Sequence, residues 1–192
     1  MYRLIRNPDG TISDSSIIRV DDMAVIPVGH RWWDEYQKWL SDGNSPEEAE
    51  SPSADQVKAK RLSANNYAYD RATVAITADY PQLEKDTWPT QDAEAQAWLN
   101  DPANALTPWV DAASSERGIP REEYLRRTLI KSRQFKAVSA FLTGRRQKFE
   151  DAIKSGLDPV LDYRLTAAVM QQLQQIANDG MNRPVHELSE FL

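Results

Sequence analysis

The side chains able to do chemistry are few and scattered. The 192-residue chain has two histidines, His30 and His186, at opposite ends, and no cysteine. Metal centres need clustered ligands, and neither histidine has a ligand-spaced companion, so no metal site is expected. Nucleophilic catalysis asks for a serine or cysteine beside a histidine base. Ser15-Ser16 and Ser114-Ser115 stand in no motif that supplies one. Glu47, Glu48 and Glu50 lie in a proline-bounded stretch and read as solvated carboxylates. Seven glycines include no phosphate-cradling run. The residues therefore predict a protein that is not an enzyme, with no catalytic, cofactor or metal residues.

Two features carry recognition chemistry instead. Arg121, Arg126, Arg127, Lys131, Arg133, Lys136, Arg145, Arg146 and Lys148 form a basic run against only Glu122 and Glu123. On a helix these cations do not share one narrow face, which favours a solvated or salt-bridged surface over a nucleic-acid or acidic-protein site. The second feature is aromatic. Six tryptophans occur, and residues 26–46 hold three of them. Trp32, Tyr36 and Trp39 fall at i, i+4 and i+7, on one helical face. Tryptophan and tyrosine are favoured anchors in protein interfaces, so Trp32, Trp33, Tyr36, Trp39, Trp88 and Trp98 are the candidate partner-binding residues.

These rings need elements to hold them. Residues 2–6, 11–13, 16–20 and 23–27 read as strands, separated by an Asn7-Pro8-Asp9-Gly10 turn and an Asp21-Asp22 turn. The aromatic helix over 31–41 follows, stopped by Gly43-Asn44 and Ser45-Pro46. Such a ribbon is marginal alone and is expected to be covered by that helix. A polar linker over 43–52 then leads to Ser53-Ala-Asp-Gln56, which has capping-box form. The helix from it runs to Tyr80-Pro81 on an alanine-rich stripe of Val57, Ala64, Ala68, Ala72, Ala75 and Ile76.

Helix resumes over 83–100. Thr107-Pro108 is a cap and first-turn proline for a helix ending at Gly118. Pro120 opens a long helix to about residue 154, within which Gly144, costing about 1 kcal/mol against alanine, marks a close crossing or an interruption. Gly156 ends it. Asp158-Pro159 reads as the start of a last helix, with Leu161, Leu165, Ala168, Val169, Leu173 and Ile176 buried and Gly180 as its stop. The tail over 181–192 has room for one turn. The fold class is mostly α: a small N-terminal antiparallel β-ribbon, an aromatic helix, and a multi-helix bundle with long helices. Two domains are expected, an interaction module over 1–44 and a helical domain over 53–192.

The net charge of -6 argues against general nucleic-acid binding. No apolar run approaches the roughly 18 residues of a membrane helix, so no membrane partner is expected. The N-terminus lacks the apolar core of a signal peptide, so use without translocation is expected.

Two stretches together resemble a known group. Ile26-Pro27, Trp33-Asp-Glu-Tyr36-Gln-Lys-Trp39-Leu40 and Gly43-Asn44-Ser-Pro46 resemble the N-terminal region of tail-fibre-associated proteins of tailed bacteriophages and prophages. Thr87-Trp88-Pro-Thr-Gln91-Asp-Ala-Glu94-Ala-Gln-Ala-Trp98-Leu99, with Thr107-Pro108 and Arg117-Gly118-Ile-Pro-Arg-Glu-Glu-Tyr-Leu125, is similar to the helical region of phage tail and tail-fibre assembly proteins. The resemblance covers roughly residues 1–50 and 85–155 and brings no catalytic residue. It implies a non-enzymatic phage tail protein that binds the tail fibre or baseplate, as an assembly chaperone or a permanent small structural subunit. Its partner would be a tail-fibre or baseplate protein, or a second copy of itself. Its place would be the host cytoplasm during assembly, and the virion tail if it stays. The alternative is a nucleic-acid-binding regulatory or packaging protein using the basic helix over 121–148.

Overall fold

A computed structural model describes residues 1–7 and 9–191, with side chains through Leu188. Pro8 in the first turn and Leu192 at the apolar end of the tail lie outside the described residues. The chain is mostly α with a small three-stranded antiparallel sheet at its start. It divides into two compact units, Met1–Val57 and Lys58–Leu192.

In the first unit, β1 (Tyr2–Arg6), β2 (Ile12–Arg19) and β3 (Ala24–Pro27) pair in sequence order. The two segments read separately at 11–13 and 16–20 belong to one strand. Tyr2 sits opposite Arg19, and Ile17 opposite Ile26. Alternation sends Tyr2, Ile17 and Ile26 to one face, where Tyr36 of α1 (Arg31–Ser41) closes the core. The helix stops as expected: Gly43 takes φ 89° and the Asn44 amide donates to the Trp39 carbonyl at 2.9 Å.

The linker over 43–52 is less free than its polarity suggests. Leu4 N–H donates to the Glu47 carbonyl at 3.0 Å, and Glu47 N–H to the Tyr2 carbonyl at 2.8 Å. Arg3 pairs with both Glu47 and Glu50. These two carboxylates are thus ion-paired at the surface: Glu50 stays exposed, as does Glu48, in line with the solvated reading, while Glu47 is half-buried. They also carry the first unit past residue 44, because the chain after the aromatic helix returns to β1.

The second unit starts within α2 (Ala54–Thr77) and contains α3 (Gln82–Asn100), α4 (Pro108–Arg117), α5 (Arg121–Lys154), α6 (Ala167–Asn182) and α7 (Val185–Phe191). The α2 capping box forms as read: Gln56 N–H donates to Ser53 Oγ at 3.2 Å, and Ser53 N–H to Gln56 Oε1 at 2.8 Å. A core of Ala95, Trp98, Leu99, Val110, Leu125, Leu129 and Leu188 joins α3, α4, α5 and α7. A second cluster of Val138, Leu142 and Tyr163 takes the half-buried Ala68, Ala72 and Ile76 of α2. The rest of the expected α2 stripe differs: Val57, Ala64 and Ala75 are exposed.

Three expectations for the helices are overturned. Gly144 marks neither a crossing nor a break; α5 runs straight through it, and an added Cβ would meet open space. The close crossing is at Gly180, inside α6 rather than at its end, where a Cβ would lie 2.3 Å from Ile130 Cγ1 of α5. The last long helix starts at Thr166, not at Asp158-Pro159. Thr166 Oγ1 accepts from Val169 N–H at 3.3 Å, and the preceding segment stays non-helical. Buried side-chain bonds explain the delay. Tyr163 donates to Asn65 Oδ1 at 2.6 Å, Asn65 donates to the Arg146 carbonyl at 3.0 Å, and Arg145 donates to the Asp162 carbonyl. Of the residues expected to be buried here, Leu161, Leu165, Val169, Leu173 and Ile176 are half-buried and Ala168 is exposed.

The start of α4 falls at Thr107-Pro108 as read, but the Thr107 hydroxyl does not cap it. It donates to Asp111 and accepts from Arg121. The Glu94 carboxylate of α3 caps instead, accepting from Trp109 N–H at 3.0 Å and Val110 N–H at 2.9 Å. A charge at a helix N-terminus satisfying two orphan donors is a strong tie between neighbours. Glu94→Ala is expected to lower stability by about 1–2 kcal/mol, read as a shift in urea midpoint, whereas Glu94→Gln keeps an acceptor and loses less. Gly118 ends α4 at φ 69°, with Ile119 N–H reaching back to the Ser114 carbonyl. Among the described residues no helix is long and apolar enough to cross a membrane.

Candidate partner-binding surface

The rings of α1 meet the sheet as a connected cluster. Tyr2 packs 5.0 Å from Tyr36 and 5.1 Å from Trp39, centroid to centroid, and Trp33 lies 5.2 Å from Tyr36. Tyr36 is buried, and burial pushes its phenol upward from the ordinary range. Trp32, Trp33 and Trp39 are half-buried. Each tryptophan therefore serves the core with one side and meets solvent with the other. Tyr2 belongs to the same cluster. Sequence reading assigned it only to a strand, although its spacing from the helix could not reveal the contact.

Trp32 has a charged frame. Arg19 stands 4.0 Å over its ring and Arg31 5.1 Å, and His30 meets its edge at 4.9 Å. His30 caps α1, its Nδ1 accepting from Trp32 N–H at 3.3 Å. Arg19 is held in place by Asp22 through Nε (3.0 Å) and Nη2 (2.6 Å). This guanidinium lowers the Asp22 carboxyl to about 2. A depressed carboxylate contributes above its unfolded value, and the contribution is lost as pH falls through the folded one. Carbon NMR titration is expected to place the Asp22 midpoint near 2, and Arg19→Met to raise it part of the way, because Ala24 N–H still donates to the carboxylate at 3.2 Å.

The sheet has two outer edges, and they differ. The β1 edge is occupied by Glu47, as above. The β3 edge has no strand beside it among the described residues. Val28 N–H donates to the Ser15 carbonyl at 2.9 Å, so ladder alternation turns the backbone groups of Val25 and Pro27 outward. Pro27 has no N–H to offer, which leaves Val25 as the strand's outward donor. Around it Met23, Val25 and Val28 are 59%, 61% and 55% exposed. Reading by type marked this stretch only as a short strand.

The other two candidate rings sit in the second unit and do different things. Trp98 is a core residue, 3% exposed, and has no face for a partner. Trp88 is half-buried, with its ring 5.2 Å from Tyr80 and 5.7 Å from Phe135. His186 is exposed beside Glu187, far along the chain from His30.

The basic run of α5 is largely engaged inside its own unit. Arg121 pairs with Asp111 at 2.8 Å and donates to the Ala105 carbonyl. Arg126 pairs with Glu122 and donates to the Gly180 and Arg183 carbonyls. Arg127 pairs with Glu123, Lys136 with Asp92, and Arg146 with Glu150. Lys131 lies 5.0 Å from the Tyr80 ring. These cations thus pair with carboxylates of α5 itself or with groups of neighbouring helices and turns rather than line one open strip.

No family model matches the chain, and no curated protein or solved structure matches it.

Proposed function

We propose that this chain is a non-enzymatic phage tail protein whose N-terminal unit binds a tail-fibre or baseplate protein, as an assembly chaperone or a permanent small subunit. The observation that carries the reading is the open β3 edge with Met23, Val25 and Val28 exposed, in the stretch that resembles tail-fibre-associated proteins. Strand addition to a free edge gains main-chain hydrogen bonds, and exposed apolar side chains supply selectivity. Because Pro27 has no N–H and its carbonyl accepts from His30 N–H at 3.1 Å, the added strand would rely on the N–H and carbonyl of Val25. Such a chain acts in the host cytoplasm during assembly, and in the virion tail where it remains as a subunit.

Trp33 and Trp39 are poor probes, since both pack against the core. Val25 is exposed, so Val25→Asp tests the edge without opening a cavity. Co-purification with a tail-fibre or baseplate protein is expected to fall at least tenfold in Val25→Asp, which corresponds to about 1.4 kcal/mol, with an unchanged far-ultraviolet spectrum. Undiminished capture by Val25→Asp sinks the reading. A salt-dependent DNA mobility shift without any fibre binding would favour the nucleic-acid alternative. Mass spectrometry of purified particles separates subunit from chaperone.

A further inference from the structure

Residues 158–166 carry the local signals of a helix and are held out of one. Asp158-Pro159 is a cap followed by a first-turn proline. Leu161, Leu165, Val169, Leu173, Ile176 and Gly180 then recur every three or four residues. That stripe crosses the observed start of α6 at Thr166 without a change of spacing. What breaks the helix is Tyr163. It stands two positions from both Leu161 and Leu165, which on a helix is the opposite face. In the structure it is buried, its ring 5.5 Å from Phe149 and 6.1 Å from Tyr69. Its hydroxyl closes over Asn65, which is fully buried. Docking of Tyr163 and a helix through it therefore exclude each other. Val160, meanwhile, lies 85% exposed in the extended form.

We infer that residues 158–166 are a two-state strap. Docked, Tyr163 seals Asn65 of α2; released, α6 lengthens by about two turns and starts at Asp158. The register along α5 suits the longer helix. Gln134 donates to the Leu173 carbonyl and Arg145 to the Asp162 carbonyl, with equal intervals between the pairs on the two antiparallel segments. Helices of equal rise keep such a register, so Asp162 stays beside Arg145 in both states. Release uncovers the Asn65 and Tyr69 side of α2. The core around Leu129 is built from α3, α4, α5 and α7, so the unit stays folded.

Tyr163→Gln removes the docking ring and suits a helix. Amide exchange across residues 159–166 is expected to slow by about tenfold or more, with α5 protection unchanged. The far-ultraviolet helix signal is expected to grow by about two turns. In that background Arg164→Gly is expected to speed the same amides about fivefold relative to Arg164→Ala, the effect of glycine inside a helix. The Arg164 side chain is 88% exposed, so neither change touches the docking site. A strap that exchanges as fast as in the wild type, or faster, was only pinned in place, and overturns the proposal. So does equal exchange in the two Arg164 variants. Loss of α5 protection overturns it as well, because Tyr163 would then be holding the whole unit together.

Discussion

Replacing Ile26 with alanine is expected to unfold the N-terminal unit and leave the helical unit folded. Ile26 is fully buried, opposite Ile17 in the sheet and beneath the rings of Tyr2 and Tyr36. Truncating a buried isoleucine costs about 2–5 kcal/mol, as transfer energy plus the cavity left behind. A three-stranded sheet closed by one helix has little stability in reserve. The second unit has its own cores around Leu129 and Leu142, so its helices do not depend on Ile26. Amide exchange by mass spectrometry checks this. Protection across β2 and β3 is expected to vanish while that of α5 stays; parallel loss in both would contradict the division of the chain at residue 57.

The second large effect concerns two glycines that look alike in sequence. Gly180→Ala is expected to destabilise by about 1–3 kcal/mol, the usual cost of overpacking a close contact. Its new methyl would lie 2.3 Å from Cγ1 and 2.8 Å from Cδ1 of Ile130, which is itself nearly buried and branched at Cβ. Either α6 moves off α5 or Ile130 leaves its rotamer. Gly144→Ala should have the opposite sign, stabilising by about 1 kcal/mol, because it sits mid-helix with nothing near its Cβ. Urea midpoints of the two variants bracket the wild type if this is right. Ile130→Val with Gly180→Ala should recover part of the loss.

These glycines also show where sequence reading works and where it stops. Local chemistry was legible. The Ser53 and Gln56 capping box, the Gly118 stop and the Gly43-Asn44 stop depend on residues within a few positions of each other, and each forms as read. What a glycine faces across a helix crossing depends on a residue fifty positions away, so the crossing offered to Gly144 belongs to Gly180, and the stop offered to Gly180 is made by neither. The same holds for Asp158-Pro159, a sound helix start on local grounds. Asn65 lies almost a hundred residues upstream, and its bond with Tyr163 holds the segment extended past the point where a helix would begin. Glu94 capping α4 is a third case of a long-range partner replacing a local one.

The partner-binding residues divide along the same line. The helical spacing gathered Tyr36 and Trp39 onto one ring face, whose third ring is Trp33 rather than Trp32, and residue type alone could not say which side of each ring was covered. Tyr36 turns out to close the core and Trp98 fills that of the other unit. The exposed row Met23, Val25 and Val28 went unmarked because short aliphatic strands look the same at an edge and in the middle of a sheet. Only the pairing of Glu47 with β1 reveals that β3 is the side left open.

The central claim, that the N-terminal unit presents its β3 edge to a tail-fibre or baseplate protein, is tested most directly by amide exchange of the chain alone and in complex with that protein. Slowed exchange at Val25 and its neighbours through Val28, with α5 unchanged, is the predicted result. Unchanged exchange over residues 23–28 in a complex that does form, with slowing confined to residues 121–148, would contradict it.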